Sequence, residues 1–164
     1  MLEHIPAPPN KTPELEPEIV SSLKNLFEEK IAFNKLLGLK LNAVAAMHVL
    51  ASMAMRPDLI GNFSGGRLHG GVISAALDTT GGIAVTAALC ARYPGERFEQ
   101  HAVRFSKLGT IDLRIDYLRP GISTGFEMRA QVIRLGARIA NTRMEFLGAD
   151  GKLLATGNGV YIVS

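Results

Sequence analysis

The spacing of apolar residues predicts two helices. Between residues 19 and 33 apolar side chains recur close to helical spacing, with charged side chains on the opposite face. This pattern predicts an amphipathic helix from Glu16 to about Leu36, which Gly38 ends. A second segment, from about Gly71 to Arg92, is almost wholly apolar and predicts a buried helix. Asp78 is the one charged side chain in that segment before its last residue.

Alternation of apolar and polar residues marks the strands. A hairpin is expected between about Leu39 and Met55, and four strand-like runs follow the apolar helix, namely Thr110–Leu118, Phe126–Leu135, Thr142–Leu147 and Lys152–Val163. Residues 61–71 are predicted to form a glycine-rich loop and residues 93–109 a polar connection. This order predicts an α+β fold, in which one curved antiparallel sheet wraps the central helix and an additional helix precedes it. The outer face of the sheet is expected to be polar and exposed to solvent, or to be covered by another subunit.

Length and composition suit one globular domain without a nucleic-acid partner. The chain has 164 residues, of which 47% are hydrophobic and 20% charged. Four prolines within residues 1–13 predict an extended N-terminal arm, which leaves residues 14–164 as the single domain. The formal net charge of +3 is too small, and the basic residues too dispersed, to indicate binding to nucleic acid.

The cysteine count and the first residues bear on where the protein works. Cys90 is the only cysteine, so no disulfide within the chain is expected. No basic segment followed by an apolar run opens the sequence, and we therefore expect a cytoplasmic protein. The apolar segment is long enough to raise the question of a membrane span, but Asp78 and the threonines beside it argue against one.

Candidate catalytic residues lie where the apolar helix begins. His69, Gly70 and Gly71 precede it, and Asp78 lies nine positions after the histidine. A backbone N–H at a helix N-terminus stabilises a developing oxyanion, and glycines let other atoms approach the backbone closely. A carboxylate on a rigid helix acts as a nucleophile or as a general base. Because burying an unpaired carboxylate is costly, Asp78 is either functional or held structurally by neighbouring hydroxyl or backbone groups.

Three segments together resemble a known enzyme family. They are the His69-Gly70-Gly71 motif with Asp78, the strand that ends in Tyr-Leu-Arg-Pro at 117–120, and the closing segment Asp-Gly-Lys-Leu-Leu-Ala-Thr-Gly at 150–157. In this order they resemble the hotdog-fold acyl-CoA thioesterases, in the branch that includes the phenylacetate-pathway and hydroxybenzoyl-CoA enzymes. The resemblance covers roughly residues 36–163. It implies hydrolysis of an acyl-CoA to a free acid and CoA, with no cofactor and no metal.

The resemblance implies roles for residues of the helix entry. The N–H of Gly70 would polarise the thioester carbonyl, and Asp78 would be the nucleophile or the general base. His69 is expected to hold the structure or position the substrate rather than to act as the base. Gly71 is expected to contact the substrate, and Arg138 is a candidate partner of the CoA phosphates. The apolar surroundings favour a medium-chain or aromatic acyl group.

Two further residues, and the assembly, also follow from the resemblance. Related enzymes carry an Asn or Gln six residues before the histidine; that position is Phe63 here, so Asn62 is the candidate. Thr110 matches a hydroxyl residue that positions water and comes from the partner subunit, whereas Gly70 and Asp78 are both expected to come from the first subunit. Two sheets are expected to join edge to edge into a homodimer, which doubles to a homotetramer, with the site between subunits.

Two other functions remain open for the same residues. A hotdog hydratase or dehydratase acting on enoyl thioesters would use a histidine with a carboxylate as its acid and base, here His69 with Asp78. A non-catalytic acyl-CoA binding protein would keep the pocket and would not need Asp78. No spacing of His, Cys and acidic residues along the chain indicates a metal site.

Overall fold

The computed structural model describes Ile5 and residues 14–164. Its helices are α1 (Pro17–Asn25), which continues into a π-helical turn (Leu26–Lys30), α2 (Ala32–Leu37), α3 (Gly70–Arg92) and α4 (Phe98–Phe105). Its strands are β1 (Lys40–Ala45), β2 (His48–Ala54), β3 (Ile60–Asn62), β4 (Arg67–Leu68), β5 (Gly109–Tyr117), β6 (Gly125–Leu135), β7 (Ile139–Gly148) and β8 (Leu153–Ile162). Apart from Ile5, the predicted N-terminal arm lies outside the described residues.

Six of these strands form one antiparallel sheet against α3. Their order is β1-β2-β6-β7-β8-β5, and among the described strands β3 pairs only with β4 in a small separate hairpin. Small residues allow the close approach between helix and sheet: a Cβ on Gly81 of α3 would lie 2.6 Å from Sδ of Met144 on β7. The predicted α+β architecture, with a central helix and a helix before it, is therefore confirmed.

The central helix α3 is a core element of this fold. By length and composition it would also pass as a membrane span, but 67% of its apolar window is buried inside the protein. Its buried residues occur on every side of its second half, from Ile83 to Cys90. A helix that is apolar all round requires such enclosure, and the sheet and the other helices provide it.

The N-terminal helix is interrupted, so the continuous helix predicted from Glu16 to Leu36 is wrong. In the π-helical turn the N–H of Ile31 donates to the carbonyl of Leu26 at 3.1 Å, five residues back. The backbone at Ile31 is extended (φ −82°, ψ 102°), and α2 begins directly after it. Gly38 ends α2 in the left-handed conformation (φ 71°), as the sequence predicts.

The predicted polar connection at residues 93–109 contains a helix. In α4 the side chains of Phe98, Ala102 and Phe105 recur at helical spacing, and His101 is buried beside them. The carboxamide of Gln100 accepts from the backbone N–H of Arg97 at 2.9 Å, which caps the first turn. The glycine-rich loop at 61–71 likewise contains part of the β3–β4 hairpin.

The outer face of the sheet is not uniformly exposed to solvent. The backbone N–H of Ile5 donates to the Glu145 carboxylate at 2.9 Å. Ile5 is 3% exposed and Glu145 only 1% exposed. Ile5 therefore packs against charged side chains that alternation alone assigns to solvent.

Candidate active site

Hydrogen bonds hold one of the two carboxylate oxygens of Asp78. The Thr110 hydroxyl donates to Oδ1 of Asp78 at 2.9 Å. The Tyr161 hydroxyl lies 3.0 Å from the main-chain oxygen of Asp78 and 3.3 Å from Oδ1. No donor among the described residues reaches Oδ2. The carboxylate therefore has one anchored oxygen and one that remains available for chemistry.

Strand register brings these three residues together. Thr110 of β5 pairs with Tyr161 of β8, and both side chains lie over the third turn of α3. The sequence-based expectation that Thr110 reaches the site from a partner subunit is wrong, because its hydroxyl contacts Asp78 of its own chain. Tyr161 was not predicted as a site residue. Its inward position follows from strand alternation, but nothing in the sequence places it opposite Asp78.

The N-terminus of α3 forms a second cluster. The backbone N–H of Gly71 donates to Nδ1 of His69 at 2.8 Å, so the histidine caps the helix. The Tyr117 hydroxyl donates to the carbonyl of Gly70 at 3.0 Å. The N–H of Gly70 has no acceptor among the described residues. It is a free donor at a helix N-terminus, whereas the Gly71 N–H is occupied.

Asn62 closes the turn of the β3–β4 hairpin. Its side-chain oxygen accepts from the backbone N–H of Ser64 at 3.1 Å and from the Ser64 hydroxyl at 2.7 Å. The hairpin packs on the helix entry, because a Cβ on Gly61 would lie 2.7 Å from Cα of His69. Asn62 therefore stands near the Gly70 cluster, and within one chain the structure does not bring it to Asp78.

The two clusters are separated along α3. Gly70 and Asp78 are eight residues apart on one helix, which corresponds to about 12 Å along its axis. The carbonyl oxygen and the attacked carbon of one thioester group are bonded to each other. One thioester group therefore cannot contact both the Gly70 N–H and the Asp78 carboxylate of the same chain. The expectation that a single chain supplies both groups to one site is wrong.

A cavity of about 460 Å³ lies beside Asp78. On α3 it is lined by Asp78, Gly82 and Thr86, which follow one another at intervals of four residues on one face. This row extends for about 12 Å along the helix. The cavity is therefore elongated away from the carboxylate and in the direction of the C-terminal end of α3.

The other walls of the cavity are apolar and come from elements around the sheet. Phe98, Ala102 and Phe105 of α4 face it on one side. Leu26 and Ile31 of the N-terminal region line another side of the cavity. The π-helical turn brings these two residues together, because the N–H of Ile31 donates to the carbonyl of Leu26. An apolar wall around one anchored carboxylate suits a substrate with a hydrocarbon chain next to its reacting group.

Helix α4 is held in place by charged and aromatic contacts. The Arg104 guanidinium pairs with the Glu96 carboxylate and lies 4.0 Å above the ring of Tyr93. The hydrogen bond from Arg104 lowers the pKa of Glu96 below its usual value. His101 stacks on Phe105 with ring centroids 6.1 Å apart. The Arg104 contacts fix the side of α4 that does not face the cavity, and His101 supports the ring of Phe105 that does.

The remaining predicted residues lie away from Asp78. Arg138 is exposed, in the turn between β6 and β7. The guanidinium of Arg92 donates to the Gly136 carbonyl at 2.8 Å, so this turn lies at the C-terminal end of α3. Arg92 is fourteen residues beyond Asp78, about 21 Å along the helix. Within the described part of the chain, no group of three or more His, Cys, Asp and Glu side chains is arranged as metal ligands.

Comparison with known proteins agrees with this architecture. The family model for the thioesterase superfamily matches residues 65–155. The medium/long-chain acyl-CoA thioesterase YigI of Salmonella typhimurium is 33% identical over 138 residues, which cover 84% of this chain and 89% of that protein. YigI of Escherichia coli is 31% identical over 138 residues, with the same coverage.

A solved structure shows the same fold. A protein from Shewanella oneidensis related to the thioesterase superfamily superposes with a TM-score of 0.84 at 37% identity, over 90% of this chain and 96% of that one. The chain therefore belongs to the thioesterase superfamily, and its curved sheet around α3 is the hotdog fold. It is an enzyme of the thioesterase class, as the His69-Gly70-Gly71 motif and Asp78 predict.

Proposed function

We propose that the protein hydrolyses a medium- or long-chain acyl-CoA to the free acid and CoA. The observation that carries this proposal is the position of Asp78, which has one anchored oxygen and stands at one end of an elongated apolar cavity of about 460 Å³. The names of the YigI relatives support the same substrate class. The acyl chain lies in the cavity, and its thioester group lies beside Oδ2 of Asp78.

Asp78 acts on the thioester carbonyl through Oδ2. As a general base it accepts a proton from water while the water oxygen bonds to the carbonyl carbon; the C–S bond then breaks and the CoA thiolate takes up the proton. As a nucleophile Oδ2 bonds to the carbon itself, CoA leaves, and water hydrolyses the resulting anhydride. Trapping of an Asp78 hydroxamate with hydroxylamine during a single turnover distinguishes the second route from the first.

The oxyanion donor comes from a second copy of the chain. The N–H of Gly70 is free and points out of a helix N-terminus, where the helix dipole favours negative charge. It lies about 12 Å along the helix from Asp78 of its own chain. A complete site therefore combines Gly70 of one copy with Asp78 and Thr110 of the other, in a homodimer that doubles to a homotetramer. Asn62, beside the helix entry, serves the CoA portion.

The edge of the sheet supports this dimer. Strand β5 pairs only with β8 among the described strands, so its other edge is unpaired. Ile111 on β5 is 55% exposed. A nine-residue strand with a free edge invites pairing with another strand. Joining β5 to β5 of a second copy satisfies both edges and brings the two α3 helices side by side.

A panel of acyl-CoAs tested with a reagent that detects free thiols examines the function directly. We expect CoA release from medium- and long-chain substrates and a loss of about a hundredfold or more in kcat for Asp78→Asn. Hydration of an enoyl-CoA without CoA release would assign the hydratase chemistry instead. Binding of acyl-CoA without turnover, or equal rates for the parent and the Asp78→Asn variant, would overturn the catalytic assignment.

A further inference from the structure

Tyr161 is the largest side chain that the fold buries fully, and its hydroxyl is directed at Asp78. The residue is 1% exposed. Its hydroxyl lies 3.0 Å from the main-chain oxygen and 3.3 Å from Oδ1 of Asp78. The Thr142 hydroxyl is a further polar neighbour of the phenol, and the sulfur of Met144, a weak acceptor, lies 4.0 Å away. The phenol donates its one proton to Asp78, where the main-chain oxygen and Oδ1 are the two acceptors.

The surrounding backbone leaves space for this phenol. A Cβ on Gly81 of α3 would lie 2.3 Å from the Tyr161 hydroxyl oxygen, and a Cβ on Gly159 of β8 would lie 2.7 Å from its ring. Contacts this short do not occur between real atoms, so both positions require glycine while Tyr161 is present. Two glycines, one on the helix and one on the strand, thus accommodate a single hydroxyl next to the carboxylate.

We propose that Tyr161 is a positioning residue for Asp78. Together with the Thr110 hydroxyl it fixes Oδ1, so that Oδ2 alone is presented to the reacting carbonyl or water. This proposal rests on the thioester hydrolysis proposed above. It adds a residue that the sequence did not single out and gives the two carboxylate oxygens different tasks.

The chemistry of the phenol suits a fixed donor rather than an acid. Burial, and then the charge of Asp78, raise the pKa of Tyr161 well above its usual range. The hydroxyl therefore keeps its proton through the working pH range. Its hydrogen bond to Oδ1 therefore holds the rotamer of the Asp78 side chain. Because Tyr161 also bonds the main-chain oxygen of Asp78, it holds that turn of the helix at the same time.

Tyr161→Phe is the direct test, since it removes only the hydroxyl and leaves the ring in its pocket. We expect kcat to fall by about tenfold to a hundredfold with little change in KM, as for loss of a hydrogen bond to a charged group. Tyr93→Phe, which removes a phenol away from Asp78, is the matched control and keeps the parent kcat and KM.

A second comparison separates positioning from general loss of structure. In an Asp78→Asn background, Tyr161→Phe should cause little further loss, because a residue that acts through Asp78 has nothing left to position. Equal losses in both backgrounds, or a rise in KM with kcat unchanged, would overturn the proposal. If the parent and Asp78→Asn proteins hydrolyse acyl-CoA equally, the proposed function fails. If only Tyr161→Phe behaves like the parent, the positioning role alone fails.

Discussion

The hydroxyl of Thr110 and the carboxylate of Asp78 meet within one chain, with Oγ1 donating to Oδ1 at 2.9 Å across 32 residues of sequence. The contact depends on β5 lying beside β8, which carries Thr110 over the third turn of α3. Each chain therefore completes the acidic half of the site by itself. The free N–H of Gly70 is about 12 Å away along the same helix. The first two predictions test the consequences of that separation.

Replacing Gly70 by proline tests the oxyanion donor with little change elsewhere. Gly70 is the first residue of α3, where proline is favoured because that N–H has no partner within the helix. His69 has φ −66° and ψ 133°, a conformation that suits the residue before a proline. We expect kcat to fall by about a hundredfold to a thousandfold, measured as CoA release, because only the donor is removed.

Gly70→Ala is the control for this variant. It keeps the N–H and adds a Cβ that would lie 3.4 Å from the Tyr117 ring, an ordinary contact. Activity within a few-fold of the parent is expected. If the alanine and proline variants lost activity equally, the effect would come from the side chain, and the N–H would not be the donor.

Mixed dimers test whether two chains share one site. Asp78→Asn and Gly70→Pro chains, each with its own affinity tag, are produced together and purified for the mixed species. If Gly70 of one copy serves Asp78 of the other, the mixed dimer contains one intact site and one doubly defective site. We then expect about half of the parent activity, although each variant alone is nearly inactive. A mixed dimer as inactive as the two single variants would show that both groups act within one chain.

The sequence predicts helices and strands, which depend on neighbouring residues. It misses contacts that depend on how distant strands and helices align. Apolar periodicity is enough to place α3 and its Gly70 entry, and alternation is enough to place the strands of the sheet. It cannot place Tyr161 at Asp78, because that contact spans 83 residues and depends on how β8 crosses the helix. Helix α4 is missed because its eight residues mix charged and apolar side chains. The break at Ile31 follows from a π-helical turn that no residue pattern signals.

Thr86 is expected to set how long an acyl chain the cavity accepts. It lines the cavity two helical turns beyond Asp78 and is 4% exposed. Thr86→Leu fills that end, so kcat/KM for palmitoyl-CoA should fall by about tenfold while that for octanoyl-CoA stays near the parent value. Thr86→Ala should shift the preference in the opposite direction.

The two variants control for each other. Both lose the hydrogen bond from the Thr86 hydroxyl to the Gly82 carbonyl, which measures 2.9 Å, so its contribution cancels in the comparison. Steady-state rates across a series of chain lengths give the measurement. Equal changes for short and long chains would mean that the acyl group does not reach Thr86.

Cys90 should not react in the folded protein. It is 3% exposed, and burial raises the pKa of its thiol to about 12. Because the thiolate is the reactive form, a thiol reagent at mildly alkaline pH should label the native chain negligibly and the denatured chain once. Cys90→Ala should leave hydrolysis unchanged. Rapid labelling of the native protein would contradict the burial of α3 at this position.

His48 should make the protein less stable in mild acid. Its side chain is 7% exposed, both ring nitrogens lack partners among the described residues, and burial lowers its pKa from the usual 6.5. Below about pH 6.5 the unfolded chain binds a proton that the folded histidine resists, so the free energy of unfolding decreases as pH falls toward the lowered pKa. Above that range His48 makes no such contribution.

Thermal unfolding of the parent and of His48→Leu measures this contribution. From about pH 6.5 down to the lowered pKa the parent should lose up to about 1.4 kcal/mol per pH unit from this one group, and the leucine variant should lack that part of the slope. Carboxylates with lowered pKa values, such as Glu28 and Glu96, titrate in both proteins and cancel. Parallel curves for the two proteins would show that His48 takes up its proton equally well when folded, which requires a polar partner for its ring in solution.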